Sequence, residues 1–299
     1  MKILNKLTKN RKNPEKNVEI RYLQDSLLID NSILVLGDLH IGYEEHLTKS
    51  GIFPRVQLKE IIEKLNSIFW DLAMEGKKIK KVIILGDLKH EFNQISEAEW
   101  SETIKLLDYL DEKIIKIKVG KKEDQNSSVN DKNIVNNQKQ EERIILIKGN
   151  HDNILGPIAK KKEVVLKESY EYEGICFMHG DKLGKGIIDK KCFDGSKILI
   201  LGHLHPAITL SDDYKREKYK CFLNGKWKIN GKTKEVYIIP SFSPISIGYD
   251  LNSIENSKEN DKKDFLIVNN KELLNFKIII YNNKDKKEYD FGKLKKITF

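Results

Sequence analysis

The chain has 299 residues, of which 39% are hydrophobic and 33% charged, enough apolar content for a globular core. Its formal net charge is +9, which favours polyanionic partners such as nucleic acid, although lysines spread along a Lys-, Asn- and Ile-rich chain give the same figure without one. No run approaches the roughly 18 apolar residues of a membrane span, and the basic N-terminus lacks the apolar stretch of a signal peptide. The three cysteines, Cys176, Cys192 and Cys221, form no CxxC pair; the odd count argues against a disulfide scaffold and fits a reducing cytoplasm.

Residues 1–17 are polar and basic and read as a loosely held arm. Val18–Tyr22 and Ser26–Asp30 read as a hairpin. Ser32–Leu36 is a continuous apolar run ending at Gly37-Asp38, the pattern of a strand buried on both faces. Pro54 opens a helix whose Leu58, Ile61, Ile62, Leu65, Phe69 and Leu72 share one face, with Gly76 at its end. Lys81–Leu85 is a second buried strand, ending at Gly86-Asp87. Ser96 and Glu99 have capping-box spacing and start a second helix with Trp100, Ile104 and Leu107 inward. Arg143–Ile147 is a third strand, ending at Gly149-Asn150.

The segment 121–142 reads as a polar surface insertion, and Glu255–Lys263 has the same character. The second half is richer in strands: Val164–Leu166, Ile175–Met178, Ile198–Leu201, Cys221–Leu223, Val236–Ile239, Lys277–Tyr281 and a final one near Ile297. This pattern predicts an α/β fold of two mixed β-sheets packed face to face, with helices outside. We expect a single domain over 1–299, with a core at about 18–250 and closing strands at 264–299.

Five short blocks carry the chemistry. They are Gly37-Asp38-Leu39-His40, Gly86-Asp87, Gly149-Asn150-His151-Asp152, His179-Gly180-Asp181 and Gly202-His203-Leu204-His205. Most follow a strand, and the carboxyl ends of strands in an open α/β sheet share one edge. On extended backbone, Asp38 and His40 face one way, as do His203 and His205. Asp and Asn oxygens with imidazole nitrogens suit Mn²⁺, with Fe²⁺, Zn²⁺ or Ni²⁺ as alternatives. The blocks hold no thiolate, which argues against structural zinc. One block alone is weak, since Gly-Asp after a strand is common. Five in this order, holding most of the chain's histidines, point to metal-assisted phosphate ester hydrolysis.

The set resembles the calcineurin-like metallophosphoesterase family, from about Ile33 to Pro206. The resemblance implies the four-layer sandwich of that fold and two divalent cations. One would be held by Asp38, His40, Asp87 and His205. The other would be held by Asp87, Asn150, His179 and His203, with Asp87 and a hydroxide bridging ions about 3.5–4 Å apart. His151 would be catalytic, stabilising charge on the phosphoryl group or protonating the leaving oxygen. Asp152 would orient an imidazole or hold the loop.

The Asp-Arg-Gly element of protein serine/threonine phosphatases is missing after Gly86-Asp87. Gly37–Glu44 with Gly51–Pro54 is instead similar to archaeal phosphoesterases related to the SbcD nuclease subunit and to bacterial DNA-ligase-associated phosphoesterases. The expected activity is phosphodiester hydrolysis, with DNA or RNA as a candidate substrate and a DNA-processing protein as a candidate partner. A phosphomonoesterase, or an interaction scaffold like the retromer subunit of similar fold, are the alternatives. The short stretch after Asp250 leaves little for the DNA-binding cap of SbcD-type nucleases. His90, Lys89, Lys148, Lys182, Lys185, Tyr43 and Arg55 are candidate substrate contacts, and His46 is assigned to a helix surface.

Overall fold

A computed structural model describes residues 18–48, 55–119, 142–181, 190–211, 214–254 and 266–297. The expected arm, Pro54, Lys182, Lys185, the patch 255–263, all of the polar insertion but Glu142, and the side chain of His46 lie outside the described residues.

The first half runs β1 (Ile20–Leu23), β2 (Ser26–Ile29), β3 (Ile33–Leu36), α1 (Tyr43–Thr48), α2 (Gln57–Met74), β4 (Lys81–Ile84), α3 (Glu97–Val119), β5 (Ile144–Ile147), α4 (Gly156–Lys161) and β6 (Val165–Lys167). It continues through β7 (Ser169–Tyr172), β8 (Ile175–Met178), α5 (Lys190–Gly195), β9 (Ile198–Leu201), β10 (Pro206–Ser211) and β11 (Arg216–Lys220). The chain closes with β12 (Phe222–Ile229), β13 (Lys232–Ile238), β14 (Tyr249–Asp250), α6 (Asn270–Leu273), β15 (Lys277–Asn282) and β16 (Lys287–Lys293).

The first sheet has the order β1-β2-β3-β4-β5-β6, antiparallel up to β3 and parallel beyond it. The second has the order β16-β15-β12-β13-β9-β8-β7, in which β13, β9 and β8 run parallel. Period-2 alternation explains how the uniformly apolar strands serve two layers at once. In β3, Ile33 and Val35 enter the core between the sheets, while Leu34 and Leu36 pack under α2 and α3. In β8, Ile175 and Phe177 face the first sheet, while Cys176 and Met178 face outward toward α5. Each fully buried side chain of this size contributes about 1.5–3 kcal/mol, so the intersheet core holds the two halves in register.

The capping box forms as read: Glu99 N–H donates to Ser96 Oγ at 3.0 Å, and Ser96 N–H donates to Glu99 Oε2 at 3.1 Å. Behind it, Thr103, Leu106, Leu107 and Leu110 are the buried face of α3. Trp100 and Ile104 only flank that core.

The expected sandwich of two mixed sheets with helices outside is present, and a three-stranded sheet β11-β10-β14 adds to the outer side of the second sheet. β7, β10, β11, β14 and β16 were not among the expected strands; β7, β11 and β16 (SYEY, REKYK, KEYDFGK) are polar, and β16 is almost wholly exposed. Two expectations need correction. The stretch before Ile297 is a 3-10 turn, Leu294–Lys296, following strand β16. Finally, Cys176 and Cys192 form a disulfide. The outward face of β8 meets the inner face of α5 there, with Cα atoms 5.5 Å apart, and the odd cysteine is the buried Cys221. No described helix is long and apolar enough to cross a membrane.

Candidate metal centre

The blocks converge because the loops after β3 and β4 stay paired beyond the strands. His40 N–H donates to the Asp87 carbonyl at 2.8 Å, and Ile41 N–H to Leu88 at 2.9 Å. Asn150 follows β5 on the same edge, and His179, His203 and His205 arrive from the ends of β8 and β9. The approach is close enough to need glycine. A Cβ on Gly149 would lie 2.2 Å from Asp87 Oδ1, and one on Gly202 would lie 2.8 Å from Asp38 Oδ2.

The extended-backbone reading of the two His-bearing blocks is overturned. Asp38, His40, His203 and His205 have φ of 34°, 46°, 65° and 48°, and Asp87 has 47°. These non-glycine residues sit in the left-handed region, which costs of order 1–3 kcal/mol each unless the surroundings impose it. Leu39 and Leu204 between them point into apolar core instead. Asp38 and His40 still reach one cluster, whereas His203 and His205 reach different ones.

The expected ligands form two clusters, and His40, His90 and His151 bring ring nitrogens within 4.8 Å of one another as a third group. In the first, His205 Nε2 lies 3.1 Å from Asp38 Oδ1 and 3.3 Å from His40 Nε2. His40 is 7% exposed, and its Nδ1 is buried with no hydrogen-bond partner. In the second, His179 Nε2 lies 3.4 Å from Asp87 Oδ2, 3.0 Å from Asn150 Oδ1 and 3.0 Å from His203 Nδ1. Asp38, His40 and His205, and separately Asp87, His179 and His203, bring their ligand atoms within 4.8 Å of one another. Asp87 Oδ2 is also 3.7 Å from His40 Nε2, so one carboxylate faces both clusters. Imidazole nitrogens facing one another beside buried carboxylates make poor mutual hydrogen bonds and a good donor set for divalent cations.

Electrostatics divides the imidazoles. Burial, reinforced by His205, pushes His40 down to about 3, and burial with the nearby His179 pushes His203 to about 4. Burial would also lower His179, but Asp87 and Asp38 outweigh it and raise the group to about 10. His179 Nδ1–H donates to the Leu85 carbonyl at 2.7 Å, which fixes the ring. Burial would raise Asp38 and Asp87, yet the surrounding imidazoles hold both below the usual carboxylate range.

The profile of the calcineurin-like phosphoesterase family matches residues 32–270. The chain belongs to the calcineurin-like phosphoesterases. Among solved structures it is similar to the Pseudomonas putida nuclease MPE, at 16% identity over 88% of this chain and 96% of that one, TM-score 0.48. It is similar to an archaeal phosphodiesterase at 13% identity over 87% and 98%, TM-score 0.34. A point mutant of Vps29 from Entamoeba histolytica aligns at 15% identity over 87% and 99%, TM-score 0.30. No curated protein matches.

In this calcineurin-like chain, His151 stands beside the clusters, with Nε2 3.8 Å from Asp87 Oδ2 and its N–H donating to Asp87 Oδ1 at 2.9 Å. Its Nδ1 is hydrogen-bonded to the His90 carbonyl. Asp152 touches no imidazole by hydrogen bond. It ties two ligand loops together, accepting from Gly149 N–H at 3.0 Å and Leu88 N–H at 3.1 Å. Burial and then Asp87 raise it to about 7.

The lysine and arginine candidates fare differently. Lys89 is fully buried and donates to backbone carbonyls, Lys148 faces Glu168 at 3.7 Å, and Arg55 pairs with Glu45 at 2.9 Å. His90 and Tyr43 do line the site, with ring centroids 4.6 Å apart and His90 5.5 Å from His40.

Sequence reading missed the supports of the loops. Buried Gln57 donates from Nε2 to the carbonyls of His40 (2.8 Å) and Leu39 (3.2 Å), while its Oε1 accepts from Gly42 N–H. Ser241 Oγ donates to the Asp38 carbonyl at 2.7 Å. A polar residue at the first turn of an otherwise apolar helix face was the only signal for Gln57.

Proposed function

We propose that this chain is a phosphodiesterase that works with two divalent metal ions, Mn²⁺ first among the cations (Fe²⁺, Zn²⁺ and Ni²⁺ the others) that suit its donor set. Asp38, His40, Asp87 and His205 would hold one ion, and Asp87, Asn150, His179 and His203 the other. The observation that carries the reading is the shared carboxylate: Asp87 Oδ2 lies 3.7 Å from His40 of one cluster and 3.4 Å from His179 of the other. Such a pair of ions polarises phosphoryl oxygens and makes water nucleophilic near neutral pH.

The protein's own part is orientation and proton delivery. With His151 Nδ1–H donating to the His90 carbonyl, the ring presents Nε2 to the Asp87 side of the site, where the phosphate would lie. A proton on Nε2 can then pass to the leaving oxygen of the ester. Phe92 covers one face of that imidazole at 3.6 Å between centroids, which restricts its rotation and keeps water off it.

The test is hydrolysis of bis-p-nitrophenyl phosphate against p-nitrophenyl phosphate by metal-stripped protein reloaded with Mn²⁺. Turnover favouring the diester, and lost in His151→Ala, is expected. Preference for the monoester would make the protein a phosphomonoesterase. No turnover of either ester with any of the four metals would leave the fold as an interaction scaffold.

A further inference from the structure

Phe92 sits on the loop between β4 and α3 and is 49% exposed. One face of its ring stacks on the His151 imidazole, centroids 3.6 Å apart at 30°. The row continues from His151 to His90, 5.5 Å at 28°, and from His90 to Tyr43 at 4.6 Å. The wall beside the candidate metal ligands is thus made of rings, and its outermost ring is open to solvent.

The loop that carries Phe92 is fixed by two fully buried charged side chains. Lys89 Nζ donates to the carbonyls of Glu91 and Gln94, one on each side of Phe92. Glu99 accepts the N–H groups of His90 at 3.1 Å, Glu91 at 2.9 Å and Ser96 at 3.1 Å. Gly42 leaves room for Glu99, since a Cβ there would lie 2.3 Å from Glu99 Cγ. Burying an ammonium and a carboxylate is costly unless each is fully hydrogen-bonded. Both are committed here to one exposed loop, so the position of the ring is set before any ligand arrives.

A phosphate alone has no use for a phenyl face. A planar group attached to the phosphate does, and every nucleobase offers one. Within a duplex that face is already stacked on its neighbours, so a single strand is the form that can present it. We propose that Phe92 is a stacking platform for the base next to the scissile phosphate, which makes single-stranded nucleic acid the substrate class. This rests on the phosphodiesterase reading above for the position of the phosphate.

The experiment uses the full chain loaded with Mn²⁺ and a short phosphorothioate-linked oligodeoxynucleotide containing 2-aminopurine, whose fluorescence falls on stacking. Wild type is expected to bind and quench it. Phe92→Leu is expected to bind about tenfold more weakly, in line with the loss of one base–aromatic stack, and without quenching. Phe92→Trp is expected to keep both. Equal binding and quenching by wild type and Phe92→Leu would overturn the proposal, as would equal losses in Phe92→Leu and Phe92→Trp. The two readings fail separately. If the nitrophenyl esters are not hydrolysed but the quench is still lost in Phe92→Leu, the platform stands and the catalytic reading falls. If bis-p-nitrophenyl phosphate is hydrolysed but the oligonucleotide is neither bound nor quenched, the platform falls and the catalytic reading stands.

Discussion

The first sheet and the second bring different chemistry to their shared edge. Strands β3, β4 and β5 end on oxygen donors, Asp38, Asp87 and Asn150, with His40 as the exception. Strands β8 and β9 end on imidazoles, His179, His203 and His205. Neither cluster is complete on one sheet: Asp38 and His40 need His205, and Asp87 needs His179 and His203. The candidate centre is therefore a property of the sandwich interface, and the packing behind it sets the distances between donors.

Breaking the shared element should do the most damage. Asp87 Oδ2 faces the Nε2 atoms of His40 in one cluster and His179 in the other, and His151 N–H is anchored to the same carboxylate. Asp87→Asn keeps the shape and removes the charge. We expect diesterase turnover to fall about a thousandfold or more, equivalent to roughly 4 kcal/mol of transition-state stabilisation. Metal analysis should show both ions weakened, whereas His205→Ala should weaken only one. Equal loss of both ions in His205→Ala would show that the clusters do not divide as described.

The next test separates the two faces of the second sheet. Phe177 is fully buried between the sheets, and Phe276 is equally buried on the outer face against Gly225. Each truncation to alanine should cost about 3–5 kcal/mol by thermal or denaturant unfolding. Only Phe177→Ala should also lower Mn²⁺ affinity, measured where both variants are still folded. If both lower it alike, general loosening rather than sheet spacing controls the site.

This contrast also explains what could be read from the sequence. The candidate blocks were legible as strand ends because each follows an apolar run, such as Leu34-Val35-Leu36 or Ile145-Leu146-Ile147, the pattern of a strand buried on both faces. The polar strands β11 and β16 lie at sheet edges, where Lys and Glu are tolerated, so their composition resembles loop. The conformation of the blocks was not legible either. Nothing in Asp38-Leu39-His40 announces positive φ, and the side chains that hold its carbonyls in the fold, Gln57 and Ser241, are remote in the chain. Lys89 misled for a related reason: its buried partners are carbonyls of its own loop, which composition cannot reveal.

The smallest expected effect sharpens the division of labour between the clusters. A metal needs a lone pair on each imidazole, so binding displaces any proton already there. With His40 pushed down to about 3 and His203 to about 4, both are neutral at pH 7. His179, raised from 6.5 to about 10, is an imidazolium at that pH. Loading the cluster of Asp87, His179 and His203 should release about one proton, and its affinity should rise about tenfold per pH unit between pH 7 and 9. In the Asp38 cluster, His40 has no proton to release. Calorimetry in two buffers of different ionisation enthalpy reads the proton count directly. The same shift has a stability sign. A raised folded value stabilises the metal-free fold fully below 6.5, and that stabilisation is lost as pH climbs through about 10. The metal-free protein should therefore lose thermal stability toward pH 10 faster than the loaded one, in which His179 carries no proton to lose. Parallel curves for the two forms, with no proton released on binding, would mean that His179 is already neutral and that the carboxylates of the first sheet do not govern the imidazoles of the second.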